Sequence, residues 1–254
     1  MTADPIVLPA DLAAAVRDAR RLVVLTGAGM SAESGVPVFR GSGGLWEGFR
    51  PEELATPEAF ARDPERVWRW YRWRLSRVQE AQPHAGHSAL AALERDGGFE
   101  RFTLITQNVD GMHQRSGNTH VIELHGNITR ARCDADCGRT ADAHDVDPAA
   151  SACACGRGRL RPDVVWFGES LPEDAVSDAA QALEEADMAW VVGTSSVVYP
   201  AAALPGIAAR RGVPVVEINP DETPLSSQFP YSLRVAASAG LAALARARLG
   251  AGAL

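Results

Sequence analysis

Three strings in the 254-residue chain carry side chains able to do chemistry. In TQNVDGMH, Gln107, Asn108, Val109 and Asp110 follow an apolar run, and in VIELHGN, His125 follows another. Further on, Cys133 and Cys137, then Cys153 and Cys155, form two close pairs. An imidazole titrates near neutrality and can serve as a general base, although a single histidine among six can equally be structural. The amide and carboxylate of TQNVDGMH either face a ligand or cap a helix starting near Val109. Four thiols can fill a tetrahedral zinc site completely, which makes such a site structural; two disulfides are the alternative.

The helix-patterned segment RVWRWYRWRLSRV adds a fourth feature. Val67, Trp70, Tyr71, Arg74 and Val78 fall on one helical face, so a guanidinium interrupts an apolar stripe. Arg74 then either snorkels to solvent or, one turn from Tyr71, binds a carboxylate with a forked guanidinium and a phenol.

These groups need a frame. Apolar runs at Leu22 to Leu25, Phe102 to Thr106, Asp163 to Phe167, Ala189 to Val192 and Val213 to Ile218 read as strands. Helical patterns separate them, as at Glu173 to Ala186 and Pro200 to Arg211. The alternation predicts an α/β fold with a mostly parallel, Rossmann-like sheet, whose ligands bind beyond the strands' C-terminal ends. Gln107 to Asp110, His125, the Gly193-Thr194-Ser195 run and Asn219-Pro220-Asp221 all fall at such ends. Two stretches break the alternation, at about 41–81 and about 126–160, and read as insertions forming a smaller helical and zinc-binding lobe.

The run LVVLTGAGMSAESGVPVFR puts Gly27, Gly29 and Ala32 between a strand and a helix, in the G-x-G-x-x-A order of dinucleotide loops. A tight turn without ligand gives the same string. A hydride-transfer enzyme wants an acidic residue about twenty positions on, where Pro37, Phe39, Arg40 and GSGGLW stand instead.

Taken in order, GAGMSAESGVPVFR, TQNVDGMH, HGN, the four cysteines, RPDVVWFGE, VVGTSSVVYP and VVEINPDETP resemble the sirtuin family, from about Leu22 to Ala237. The resemblance implies one catalytic domain over 1–254. Its large NAD-binding lobe would span about 11–40, 84–126 and 161–254, and its small lobe about 41–83 and 127–160. The implied activity is NAD-dependent removal of acyl groups from protein lysines, releasing nicotinamide and O-acyl-ADP-ribose. In that family the acyl amide oxygen attacks the ribose as nicotinamide leaves, and a histidine matching His125 takes a ribose hydroxyl proton. Residues matching Asn108 and Asp110 hold the nicotinamide. The resemblance further implies NAD contacts at Gly27, Ala28, Gly29, Ser31, Phe39, Arg40, Trp46, Gln107, Val109, Gly193, Thr194, Ser195, Asn219, Pro220, Asp221 and Ala237. The peptide would pair along Val165, Phe167 and Gly168. One zinc ion would sit on Cys133, Cys137, Cys153 and Cys155, although the C-x3-C and C-x-C spacings depart from the family's usual pair of C-x2-C. Tyr71, Arg74 and the small Ala55 resemble the subgroup that removes malonyl, succinyl and glutaryl groups. A protein ADP-ribosyltransferase and a non-catalytic NAD or acyl-peptide sensor are the alternatives.

Composition narrows the partners. A formal net charge of -7 without a basic block argues against nucleic acid or an anionic membrane surface. The N-terminal residues lack the basic and apolar segments of a secretion signal, so a cytoplasmic monomer acting on acylated proteins is expected. All 25 basic residues are arginine, which excludes removal of acyl-lysine marks from itself.

Overall fold

The computed structural model describes residues 6–36 and 51–250, the side chains of Pro51 and Glu52 excepted. Strands are numbered along the chain as β1 Arg21–Thr26, β2 Arg101–Thr106, β3 Val121–Glu123, β4 Gly126–Cys133, β5 Thr140–Asp142, β6 Leu160–Val164, β7 Met188–Val192, β8 Val215–Ile218 and β9 Tyr231–Leu233. Helices are α1 Ala10–Asp18, α2 Gly29–Ala32, α3 Pro51–Leu54, α4 Pro57–Arg62, α5 Pro64–Glu80, α6 Ala85–Asp96, α7 Met112–Arg115, α8 Glu173–Glu185, α9 Pro205–Arg210 and α10 Ala237–Leu249.

Six strands form one sheet in the order β3-β2-β1-β7-β8-β9, with every neighbouring pair parallel. Successive residues of a strand face opposite ways, so a sheet covered on both sides reads as continuous apolar runs. In β1, Leu22 and Val24 enter one cluster with Leu12, Leu90 and Leu241 of α1, α6 and α10. Val23 and Leu25 enter another with Ala179 and Leu183 of α8 and Ala208 of α9. That two-sided burial is why β1, β7 and β8 were recognisable as strands.

The run Asp163 to Phe167, expected to join the parallel sheet, does otherwise. Its strand ends at Val164 and pairs antiparallel with β4, which also pairs with β5, in a separate three-stranded sheet. Pro200 to Arg211, expected as one helix, is a 3-10 turn at Ala201–Ala203 followed by α9, because Pro205 opens a new helix.

The small sheet packs on α5. Asp63 caps that helix by accepting from the Arg66 amide at 3.0 Å, and Pro64 takes the first position, where no amide hydrogen is needed. Its inner face carries Val67, Trp68, Trp70, Tyr71, Leu75 and Val78, which meet Ile128, Ala131, Val164 and Trp166. The Trp68 indole donates to the Leu160 carbonyl at 2.8 Å, tying helix to sheet. Arg130 of β4 holds the two sheets together, donating to Glu123 of β3 at 2.6 Å and to Asp163 of β6 at 3.0 Å. Between β3 and β4 run only Leu124 and His125. Among the described residues no helix is long and apolar enough to cross a membrane.

Candidate active site and metal centre

Loops from the C-terminal ends of β1, β2, β7 and β8 interlock at the edge of the large sheet. Gly29 donates its amide to the Gly193 carbonyl at 2.7 Å, and Gly27 donates to Val192 at 3.0 Å. A Cβ at Gly29 would lie 2.8 Å from the Gly193 backbone. Gly193 itself has φ +61, and its Cβ would come within 2.4 Å of the Met30 nitrogen. The glycine pattern therefore answers first to loop-on-loop packing. Thr194 is the hub of these loops. Its hydroxyl accepts from the Gln107 amide at 3.2 Å and the Ser196 backbone at 3.2 Å, and its carbonyl accepts from Asn219 at 2.9 Å.

A second set of bonds holds the β2 loop to the β1 loop. Asn108 donates from Nδ2 to the Gly27 carbonyl at 2.9 Å and to Ser31 Oγ at 3.2 Å. Ser31 Oγ donates to Asp110 Oδ2 at 2.7 Å, and Asp110 Oδ1 accepts from the Met112 amide at 3.0 Å. The helix expected near Val109 opens only at Met112, with Gly111 as its N-cap; Asp110 accepts its first amide from outside, and Asn108 reaches across to another loop. Burial raises the Asp110 pKa, while the Met112 and Ser31 bonds oppose the rise.

His125 faces the same place. Its Nδ1 lies 2.9 Å from the Gln107 carbonyl, an acceptor only, so Nδ1 carries the proton and Nε2 keeps its lone pair. Burial pushes the imidazole pKa down, partly offset by that carbonyl, and the ring is neutral at physiological pH.

A cavity of about 500 Å³ lies between the sheets. Its wall includes Gly27, Ala28 and Gly29; Gln107, Asn108, Val109 and His125; and Gly193, Thr194, Ser195, Asn219 and Asp221. Ala55, Tyr71, Arg74, Val165, Phe167 and Gly168 close the other side. Backbone bonds pin that side, from Val165 to the His125 carbonyl and from Phe167 to the Ala55 carbonyl, both 2.9 Å. Ser31 and Asp110 sit behind the wall, Pro220 is exposed outside it, and Ala237 belongs to the large core at the start of α10. Phe39, Arg40 and Trp46 lie outside the described residues. Trp166, Glu169, Leu171, Val198, Tyr199, Glu222 and Thr223 also line the cavity. Sequence reading gave none of them a role at the site, although all but Leu171 lie inside strings already singled out.

Tyr71 and Arg74 are both buried, at 1% and 3% exposure. The Arg74 Cζ lies 4.7 Å from the Trp70 ring centroid and 5.2 Å from that of Tyr71, within reach of cation–π attraction. Burial works against the guanidinium charge, and the neighbouring phenol favours it.

The four cysteines converge at the far end of the small sheet. All are free thiols, and their sulfurs lie within 4.8 Å of one another. Cys133 and Cys155 are 3.7 Å apart, as are Cys137 and Cys153. A tetrahedron with zinc–sulfur bonds of about 2.3 Å has edges of about 3.8 Å, so the sulfurs fit one zinc ion. The Arg157 amide donates to Cys155 Sγ at 3.4 Å, supplying the outer bond that steadies a thiolate. The unusual spacings are absorbed by turns, with Asp136 at φ +45 and Gly138 at φ +77 inside and beside the first pair. Purified protein is expected to hold about one zinc per chain. Stripping it with a chelator should lower the melting temperature and disorder the small sheet, because metal affinity of such sites is coupled to folding. An unchanged melting curve after complete metal removal would show that the thiols serve no structural ion.

Residues 27–200 match the model of the Sir2 family. The NAD-dependent protein deacylase of Aquifex aeolicus is 52% identical over 225 residues, covering 87% of this chain and 92% of that protein. A solved Sir2 homologue–NAD complex superposes with a TM-score of 0.86 at 48% identity, covering 95% of this chain and 94% of the other. A Sir2–p53 peptide–NAD+ complex gives 0.82 at 33% identity, covering 93% and 96%.

Proposed function

Because the chain belongs to the Sir2 family and is an NAD-dependent protein deacylase with a zinc-binding small lobe, we propose that it prefers acidic acyl groups on lysine, namely malonyl, succinyl and glutaryl, over acetyl. The observation that carries this reading is Arg74, the one guanidinium on the cavity wall among the described residues, buried one helical turn from Tyr71. A carboxylate entering beside it gains a charge-assisted bond of about 1.5 to 3 kcal/mol. An acetyl methyl gains nothing there. Ala55 supports the reading, since a small side chain at that part of the wall leaves length for a longer acyl chain.

When bound, NAD would supply the glycosidic bond whose cleavage releases nicotinamide, the ADP-ribose then carrying off the acyl group as O-acyl-ADP-ribose while one water is consumed and the lysine amine is freed. The chain's part is to position and to move one proton. The glycine loop and the Gly193 to Ser195 and Asn219 loops offer backbone amides and short polar side chains to the anionic cofactor. Asn108 lies at the nicotinamide side, with Asp110 and Ser31 bracing it from behind. His125 accepts a ribose hydroxyl proton at Nε2. The Val165 to Gly168 segment receives the substrate peptide as an added strand, which gives affinity through the backbone with little demand on sequence. One catalytic domain over both lobes suffices for this.

The test is a panel of acetyl-, malonyl-, succinyl- and glutaryl-lysine peptides with NAD, following nicotinamide release and the mass of the products. The succinyl peptide should exceed the acetyl peptide in kcat/KM by about tenfold or more. Equal efficiencies would remove the acidic preference, and ADP-ribose attached to protein in place of O-acyl-ADP-ribose would favour the transferase alternative.

A further inference from the structure

We infer that Trp166 is a specificity-positioning residue: its indole N–H holds the Tyr71 phenol as an obligatory donor toward the cavity, so that the pocket accepts an acyl group ending in a hydrogen-bond acceptor. The inference rests on the acidic-acyl reading and adds to it a residue that the wall's charge alone does not reveal.

Donors and acceptors around the phenol decide where its hydrogen points. Trp166 Nε1 lies 2.9 Å from Tyr71 Oη, and an indole nitrogen can only donate. The Arg74 guanidinium beside the phenol also can only donate, while Arg161 and Glu169 act on it through their charges, the Glu169 carboxylate being bonded to Arg161 and the Trp166 amide. The phenol oxygen therefore spends its lone pairs on protein, and its own hydrogen must point elsewhere. Among the described residues no acceptor takes that hydrogen. Tyr71 lines the cavity, so a ligand group meeting the hydroxyl is met by a donor. Burial pushes the Tyr71 pKa up, which keeps the hydrogen in place.

Trp166 is in turn fixed from several sides. Arg161, itself buried, stacks its Cζ 3.3 Å from the indole centroid. It is held there by two bonds to Glu169, one of them 2.9 Å, and by a bond to the Val164 carbonyl at 2.9 Å. Glu169 Oε2 also accepts the Trp166 amide at 2.8 Å, and Phe60 packs on the indole with centroids 5.3 Å apart. The ring has no freedom to turn its N–H away. The same loop that carries Phe167 and Gly168 thus sets the hydrogen-bond polarity of a side chain on α5.

Trp166→Phe keeps an aromatic ring between Arg161 and Phe60 and removes only the donor. It should lower kcat/KM for the succinyl peptide about tenfold more than for the acetyl peptide, in line with one hydrogen bond to a charged group. The loss should appear chiefly in the peptide KM, with the KM for NAD unmoved. A double-mutant cycle separates positioning from general damage. In a Tyr71→Phe background, Trp166→Phe should cost no further acyl selectivity, whereas additive losses of selectivity would overturn the inference. A uniform loss on all peptides with a lowered melting temperature would overturn it too. Selectivity that answers to Arg74→Met but not to Trp166→Phe defeats this inference alone; selectivity that answers to neither defeats the acidic-acyl reading beneath it.

Discussion

His125→Ala should abolish deacylation, with a loss of about 10²- to 10⁴-fold for a positioned general base, while NAD still binds within a few fold of its native affinity. The expectation rests on the Nδ1 bond to the Gln107 carbonyl, which leaves Nε2 as the acceptor facing the cavity. Nicotinamide release with an acyl peptide, set beside calorimetric NAD binding, would check it; near-normal turnover would refute the assignment. The pH profile adds a second constraint. The base works in its neutral form, and burial lowers its pKa below the ordinary 6.5. Activity should therefore be full at neutral pH and fall as pH drops through a value below 6.5. An acid limb centred above 6.5 would contradict the buried, neutral imidazole.

Arg74→Met should reduce desuccinylation about 10- to 100-fold relative to deacetylation, the range that follows from about 1.5 to 3 kcal/mol for a bond to a charged group. Methionine keeps the apolar stem against Trp70 and Tyr71, so packing is largely conserved while the charge goes. Kinetics on acetyl and succinyl peptides with both enzymes give the ratio directly. Parallel losses on the two peptides would mean that the guanidinium only supports α5. Lysine at the same place should recover part of the ratio, since an ammonium supplies charge without the planar fork.

Much of this was legible in the amino-acid order. β1 and β7 announced themselves because burial on both faces demands unbroken apolar runs, and β2 and β8 because only a single polar residue interrupts theirs. Arg74 was legible for a related reason, as a charge on the buried stripe of a 3.6-residue period. The small sheet was not. In β4, GNITRARC, the charged Arg130 and Arg132 alternate with buried Ala131 and Cys133, and the strand is secured by long-range partners such as Asp163. β9 spans only Tyr231–Leu233, too short for a period to emerge. Within the site, sequence named residues by their strings and could not tell a wall from what stands behind it. Asn108 lines the cavity and Asp110 braces it, although they differ by two positions. Glu217 went unnoticed altogether. It is a carboxylate 1% exposed in β8, satisfied by Arg234, Thr223 and Ser226 from later in the chain, and it anchors the loop that carries Asn219 and Asp221.

His125 occupies the seam between β3 and β4, where one sheet ends and the other begins. Its neighbour Gly126 sits at φ +78 with its Cα so close to the Asp163 carbonyl that a Cβ would fall 2.1 Å from that oxygen, so the splice admits no bulk. A side chain at position 126 would have to force the two sheets apart, and it would carry the imidazole off the Gln107 carbonyl that fixes its tautomer.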